Sequence, residues 1–225
     1  MVRLVLFDMD GTLIRTGGAG IQAFERAFST EFQVQRVTEA MNFAGRTDTS
    51  LVRECFLRHQ IPVTSENFQR FLHTYALWLD YLLDKTDGST CLGAWKFIRG
   101  LQCLPEPPVL GLLTGNTRLG AEIKLRFFRL WEVFQTGAFA DDHEERDRLA
   151  WIARERGNAL IGTALEEREV LVIGDTPRDV QCARFIGARM LAVSSGASSR
   201  EELESHKPDW VVEDLQNVSV GRFCD

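Results

Sequence analysis

The chain of 225 residues has room for one full domain plus a smaller module. Its 44% apolar and 26% charged residues, with 18 glycines and 6 prolines, exclude a disordered, collagen-like or small disulfide-stapled protein. A net charge of −6 speaks against a general nucleic-acid binder, which needs a basic face to neutralise phosphates, and leaves room only for a local cationic pocket.

Residues 2–7 form a short, almost wholly apolar run, as expected of a strand buried on both faces of a parallel sheet, and the run ends abruptly in Asp8-Met9-Asp10-Gly11-Thr12. From about residue 15 to residue 90 the pattern is helical, with predicted helices at 19–32, 48–59 and 65–83. Phe68, Phe71, Leu72, Tyr75, Leu79, Leu82 and Leu83 of the last fall at spacings of three and four. Gly17-Gly18 and residues 85–89 are composed like hinges at either end of this insertion, and Pro105-Glu106-Pro107-Pro108 enforces an extended re-entry. Further strands are predicted at 109–113, 170–173, 190–193 and 210–212, alternating with helices at 118–130, 146–156 and 177–186. Strands alternating with helices define an α/β fold, a doubly wound parallel sheet (Rossmann-like), in which functional groups gather beyond the carboxyl ends of the strands.

The cysteines Cys55, Cys91, Cys103, Cys182 and Cys224 are odd in number, scattered and without a C-x-x-C pair, so they read as buried free thiols of a reducing compartment. The opening apolar run is too short for a signal peptide, and no run approaches the roughly 18 residues of a membrane span. These features predict a cytoplasmic protein with no membrane partner, a monomer or homodimer. Trp78 and Tyr81 in the insertion read as core, with a partner surface as the alternative.

Three apolar runs end in polar clusters, and adjacent ends of parallel strands lie close together. In the first, alternation along an extended chain aims Asp8 and Asp10 the same way, at a cost in repulsion that a bound cation relieves; an Asp-Gly turn ending a strand is the alternative. In the second, Thr114-Gly115-Asn116 joins a strand to a helix, a ready anion site as well as an ordinary helix cap. In the third, Gly174-Asp175-Thr176-Pro177-Arg178-Asp179, Pro177 suits the first helical position and Thr176 the cap, giving Asp179 a capping-box reading; Asp175 has no such reading and wants a cation. Carboxylates converging on one sheet edge, with oxygen-only ligation, suit Mg²⁺ bound together with a substrate phosphate.

These residues resemble the haloacid dehalogenase superfamily, specifically its phosphatase branch. Asp8-Met9-Asp10-Gly11-Thr12 is similar to its first motif, residues 112–116 to the second, and residues 172–179 to the fourth, in the right order over about 170 residues. The third motif, a lone basic residue, is aligned to Arg146 in the acidic stretch 141–149, with Arg148 as the competing choice. The resemblance implies a core of residues 1–14 and 91–225 and a smaller helical cap of residues 15–90. It implies Asp8 as the nucleophile giving an aspartyl-phosphate and Asp10 as the acid and base. Mg²⁺ would be held by the Asp8 carboxylate, the Asp10 carbonyl and Asp175, with Asp179 acting through a water. Thr114, Gly115, Asn116 and Arg146 would hold the phosphoryl oxygens. The cap placement resembles that of phosphoglycolate phosphatases and β-phosphoglucomutases. Arg46, in Gly45-Arg46-Thr47-Asp48, is the candidate clamp for a substrate carboxylate; an N-cap with a solvated arginine is the alternative.

The expected activity is therefore Mg²⁺-dependent hydrolysis of a small phosphomonoester of the phosphoglycolate kind. A sugar-phosphate mutase and a non-catalytic binding protein are the other readings. Only Lys85, Lys96, Lys124 and Lys207 are lysines, and Lys85 alone stands at the edge of the insertion. This speaks against the cap-lysine Schiff base that the superfamily's phosphonatases use.

Overall fold

A computed structural model describes residues 1–39 and 41–223; Cys224 lies outside the described residues. The elements in chain order are β1 (Leu4–Phe7), β2 (Ile14–Arg15), α1 (Ala19–Phe32), α2 (Asp48–Arg58), α3 (Ser65–Leu83), β3 (Ser89–Thr90), α4 (Ala94–Gln102) and β4 (Val109–Leu113). They continue with α5 (Arg118–Phe127), β5 (Thr136–Ala138), α6 (Arg146–Ile161), β6 (Val170–Gly174), α7 (Pro177–Phe185), β7 (Arg189–Val193), α8 (Arg200–Ser205) and β8 (Trp210–Val212). Six strands form one parallel sheet in the order β5-β4-β1-β6-β7-β8.

The first apolar run sits at the centre of that sheet because it can be buried on both faces. Val5 and Phe7 face a cluster that includes Phe97 and Ile98 of α4 and Leu125 of α5, whereas Leu4 and Leu6 face one that includes Leu149 and Ala153 of α6 and Val180 of α7. β1 pairs β4 with Phe7 opposite Leu112, and pairs β6 with Phe7 opposite Ile173. This register brings the ends of β1, β4 and β6 level, so the residues just beyond them meet.

The insertion packs as three helices around their own aromatic cluster, in which Phe24, Phe28, Phe56 and Phe71 touch ring to ring at 4.9 to 5.7 Å. Its two chain crossings are tied together by the short antiparallel pair β2–β3, Ile14 opposite Thr90 and Arg15 opposite Ser89. Tyr81 is exposed, contrary to the expectation of core, and Trp78 is half-buried, donating from Nε1 to Thr30 Oγ1 at 3.3 Å. Cys55, Cys91 and Cys182 are buried free thiols, but Cys103, at the end of α4, is exposed. Among the described residues no helix is long and apolar enough to cross a membrane.

Candidate active site

The ladder continues one step past β1, where the Asp8 N–H donates to the Ile173 carbonyl at 2.8 Å, so the backbone delivers the buried Asp8 carboxylate to the sheet edge. The chain then turns, with the N–H groups of Leu13 and Ile14 both donating to the Met9 carbonyl. Gly11 makes the turn at φ 91°, and any side chain there would run into the Asp175 carboxylate.

Carboxylate oxygens of Asp8, Asp175 and Asp179 lie within 4.8 Å of one another, all three buried. Asp175 accepts from Thr12 Oγ1 at 3.2 Å and from the Ala197 N–H at 2.6 Å. Asp179 closes the capping box of α7: its Oδ2 accepts from the N–H and hydroxyl of Thr176, and the opposite oxygen receives Arg146. The capping reading and the cluster reading of Asp179 therefore hold together, one oxygen serving each. Arg146 opens α6, is 7% exposed, and reaches both Asp179 and Asp8, the latter at 3.2 Å. Arg148 is exposed.

Three buried carboxylates against one guanidinium leave an excess of negative charge. Burial, aided by the neighbouring Asp179, holds Asp8 well above the usual carboxylate range against the pull of Arg146. Burial and Asp179 likewise lift Asp175 to about 7. Among the described residues the Nε of Arg146 is buried with no oxygen or nitrogen partner, near the Cys182 thiol. An all-oxygen donor set with surplus charge beside one guanidinium fits a hard divalent cation together with an anionic ligand.

Asp10 lines the same cavity but turns to other partners. Its Oδ2 receives Asn116 Nδ2 and Lys124 Nζ, each at 2.8 Å. Lys124, 5% exposed, also donates to Asn116 Oδ1 at 2.6 Å, and Asn116 in turn donates through Nδ2 to Thr114 Oγ1 at 2.8 Å. Burial opposes the charge on Lys124, yet Asp10 and Asp48 outweigh it and hold its proton more firmly than in an ordinary lysine. Lys124 escaped the sequence reading. The signal was a polar residue on the face that Gly120 and Ala121 of the same helix turn inward, at spacings of three and four.

The helical insertion packs directly on the second cluster. Gly115 accepts from the Asp48 N–H at 2.7 Å, and a side chain at Gly115 would be driven into the Arg46 carbonyl, so this glycine is required by close approach. Asp48 Oδ2 accepts from the Thr117 N–H at 2.8 Å, and burial lifts its carboxyl to about 6 despite Lys124. Thr47 both caps α2 and donates from its hydroxyl to the Glu144 carbonyl at 2.9 Å. Arg46 lines the cavity, but its guanidinium is held by Glu54 at 2.6 Å rather than free. The whole encloses about 520 Å³ between the strand ends and the helices.

A HAD-hydrolase-like family model matches residues 150–218. A pyrophosphatase PpaX of Bacillus cereus (strain G9842) is 25% identical over 221 residues, 96% of this chain and 94% of that one. Among solved structures, CbbY from Rhodobacter sphaeroides, in complex with phosphate, superposes with a TM-score of 0.75 at 18% identity, covering 96% of each chain. A predicted phosphoglycolate phosphatase from Haemophilus somnus gives 0.73 at 15% identity, over 100% of this chain and 98% of that one. The parallel sheet flanked by helices is an α/β, Rossmann-like fold shared with these structures. The chain is thus similar to haloacid dehalogenase-like hydrolases in sequence over residues 150–218, to a pyrophosphatase along most of its length, and to phosphatases of this kind in fold.

Proposed function

We propose that the chain is a Mg²⁺-dependent phosphomonoester hydrolase, working as a cytoplasmic monomer or homodimer on a small phosphorylated metabolite. The observation that carries this is the buried meeting of Asp8, Asp175, Asp179 and Arg146 beside Thr114, Gly115 and Asn116. The proposed core comprises residues 1–14 and 91–225, and residues 15–90 form the cap that shuts water out of the cavity.

Asp8 attacks phosphorus, forming an aspartyl-phosphate as the alcohol departs. Asp10, aimed by Lys124 and Asn116, gives the departing oxygen its proton and later takes one from the hydrolytic water. Thr114, the Gly115 backbone, Asn116 and Arg146 hold the phosphoryl oxygens. The Asp8 and Asp175 carboxylates and the Asp10 carbonyl would hold the ion, with Asp179 through a water. When bound, it neutralises charge on the phosphoryl group and aligns it for in-line attack. Carbon–phosphorus cleavage through a Schiff base is disfavoured further, because among the described residues the one amine lining the cavity, Lys124, is held as a firmly protonated ammonium.

The phosphoglycolate-like expectation needs a cation to clamp a carboxylate; Glu54 pairs with Arg46 through Nη1, and Arg15 lines the same cavity. The test is phosphate release from a panel of small phosphomonoesters, with inorganic pyrophosphate included because of the PpaX relatives, with and without Mg²⁺. Metal-dependent release that Asp8→Asn abolishes is expected. Isomerisation of a sugar phosphate without net release would replace the reading by that of a mutase, and silence across the panel by that of a binding protein.

A further inference from the structure

The cavity has a second wall that the phosphoryl chemistry does not use. The helical insertion contributes Ile21, Phe24, Phe43, Leu51 and Tyr75 to it. Phe24 and Phe43 meet edge to face at 5.4 Å, and Tyr75 stacks on Phe71 at 5.7 Å, so the ring positions are set by packing. Ile21 is 47% exposed although it stands on a helix whose other apolar residues Ala23, Phe24, Ala27 and Phe28 are buried. At the cavity rim this side chain extends the apolar wall and is open to a ligand lying against it.

Several polar groups interleaved with this wall are already engaged by the protein, while Arg15 and Thr16 also line the cavity. Lys124 serves Asp10 and Asn116, Arg46 serves Glu54, and Asp48 accepts from the Thr117 N–H. The Tyr75 hydroxyl differs. Its residue is 4% exposed, it lies beside Lys124 Nζ next to Gly20, and among the described residues it neither gives nor takes a hydrogen bond. A leaving group rich in hydroxyls would bury those that meet Ile21, Phe43 and Leu51 unpaired against carbon, which such a wall penalises. An apolar leaving group with one polar atom loses nothing.

We infer that the preferred substrates are phosphate monoesters of apolar alcohols, with an aromatic or branched aliphatic body lying against Ile21, Phe43 and Leu51 and one polar atom received by the Tyr75 hydroxyl. This rests on the hydrolase reading above and adds the class of its leaving group. Each methylene buried against the wall raises kcat/KM about fourfold.

Benzyl phosphate and glycerol 3-phosphate test this, because both release a primary alcohol and differ mainly in the polarity of the body. In saturating Mg²⁺, kcat/KM for benzyl phosphate is expected to exceed that for glycerol 3-phosphate by at least tenfold. Ile21→Asn, at an exposed position that leaves the fold intact, is expected to cut that ratio at least threefold, and Phe43→Asn to cut it further. Equal rates, or a preference for glycerol 3-phosphate, would overturn the inference and leave the hydrolase reading standing. If no ester releases phosphate, the hydrolase reading fails. Calorimetric titration with benzylphosphonate and methylphosphonate then decides the inference separately: tighter binding of the benzyl compound supports it and equal binding overturns it.

Discussion

Replacing Asp175 with Asn should make the metal-free protein more stable at alkaline pH while removing its response to Mg²⁺. Asp175 is 1% exposed, and burial together with Asp179 lifts its carboxyl from the usual 3.8 to about 7. A folded-state value raised above the unfolded one means that the native chain holds the proton more tightly. The stability this represents is complete below about pH 4 and is lost as the pH rises through 7. Three units correspond to a ceiling of ~4 kcal/mol at pH 8. The asparagine keeps an acceptor for Thr12 but faces the Ala197 N–H with an amide NH₂, which costs ~1–3 kcal/mol. The net is a gain of ~1–2 kcal/mol at pH 8, a rise in Tm of roughly 2–8 °C, and at pH 5 no gain or a small loss. Thermal melts followed by circular dichroism at pH 5 and pH 8, with EDTA or with MgCl₂, measure all four conditions. Wild type should gain ~3 kcal/mol from Mg²⁺ at about a hundredfold excess over Kd, and Asp175→Asn should gain none, so the order of the two Tm values reverses when Mg²⁺ is added at pH 8. A variant destabilised equally at both pH values, or one still stabilised by Mg²⁺, would refute the charge-excess account.

Lys124→Met should lower kcat by roughly 10- to 100-fold with KM changed less than about threefold, since it removes the group that aims Asp10, while Asn116, which also loses a donor to its Oδ1, keeps Thr114 and Asp10 as partners; an unchanged kcat would remove Lys124 from the mechanism. Arg146→Ala should leave buried carboxylates unpaired and destabilise the metal-free protein by ~3–5 kcal/mol, whereas the exposed Arg148→Ala should stay within about 0.5 kcal/mol of wild type in denaturant melts. The reverse order would reassign the basic residue. Gly115→Ala should force the cap off the strand end, costing ~1–3 kcal/mol and exposing the segment around Arg46 to limited proteolysis; an unchanged digestion pattern would show that this contact does not hold the cap.

Elements with a strong period were legible in the chain and others were not. The predicted helices at 19–32 and 65–83 coincide with α1 and α3, and the strand at 109–113 with β4, because each carries a full apolar face or a buried run; the strand at 210–212 coincides with β8, a half-buried edge strand marked by its apolar Trp210-Val211-Val212. The edge strand β5 was invisible: Thr136-Gly137-Ala138 has no bulky residue, and its only sheet partner is β4. Helix α4 also went unread. It starts at Gly93, a left-handed cap with no side-chain signal, and contains Gly100. The carboxylate cluster was legible because strand ends in a parallel sheet are neighbours by topology. The environment of Arg46 was not, since its pairing with Glu54 eight residues on depends on how the 45–48 turn meets the helix. Lys124 was hidden for a related reason: nothing in its own spacing says that its helix points at Asp10, a residue 114 positions away.

The covalent step is the centre of the account, and acid-quenched peptide mapping reads it most directly. Protein mixed with Mg²⁺ and a turned-over phosphate ester, stopped in acid within one turnover, should carry a phosphoryl group on the peptide containing Asp8, and Asp8→Asn should carry none. A phosphoryl group on another residue, or full turnover by Asp8→Asn, would contradict it.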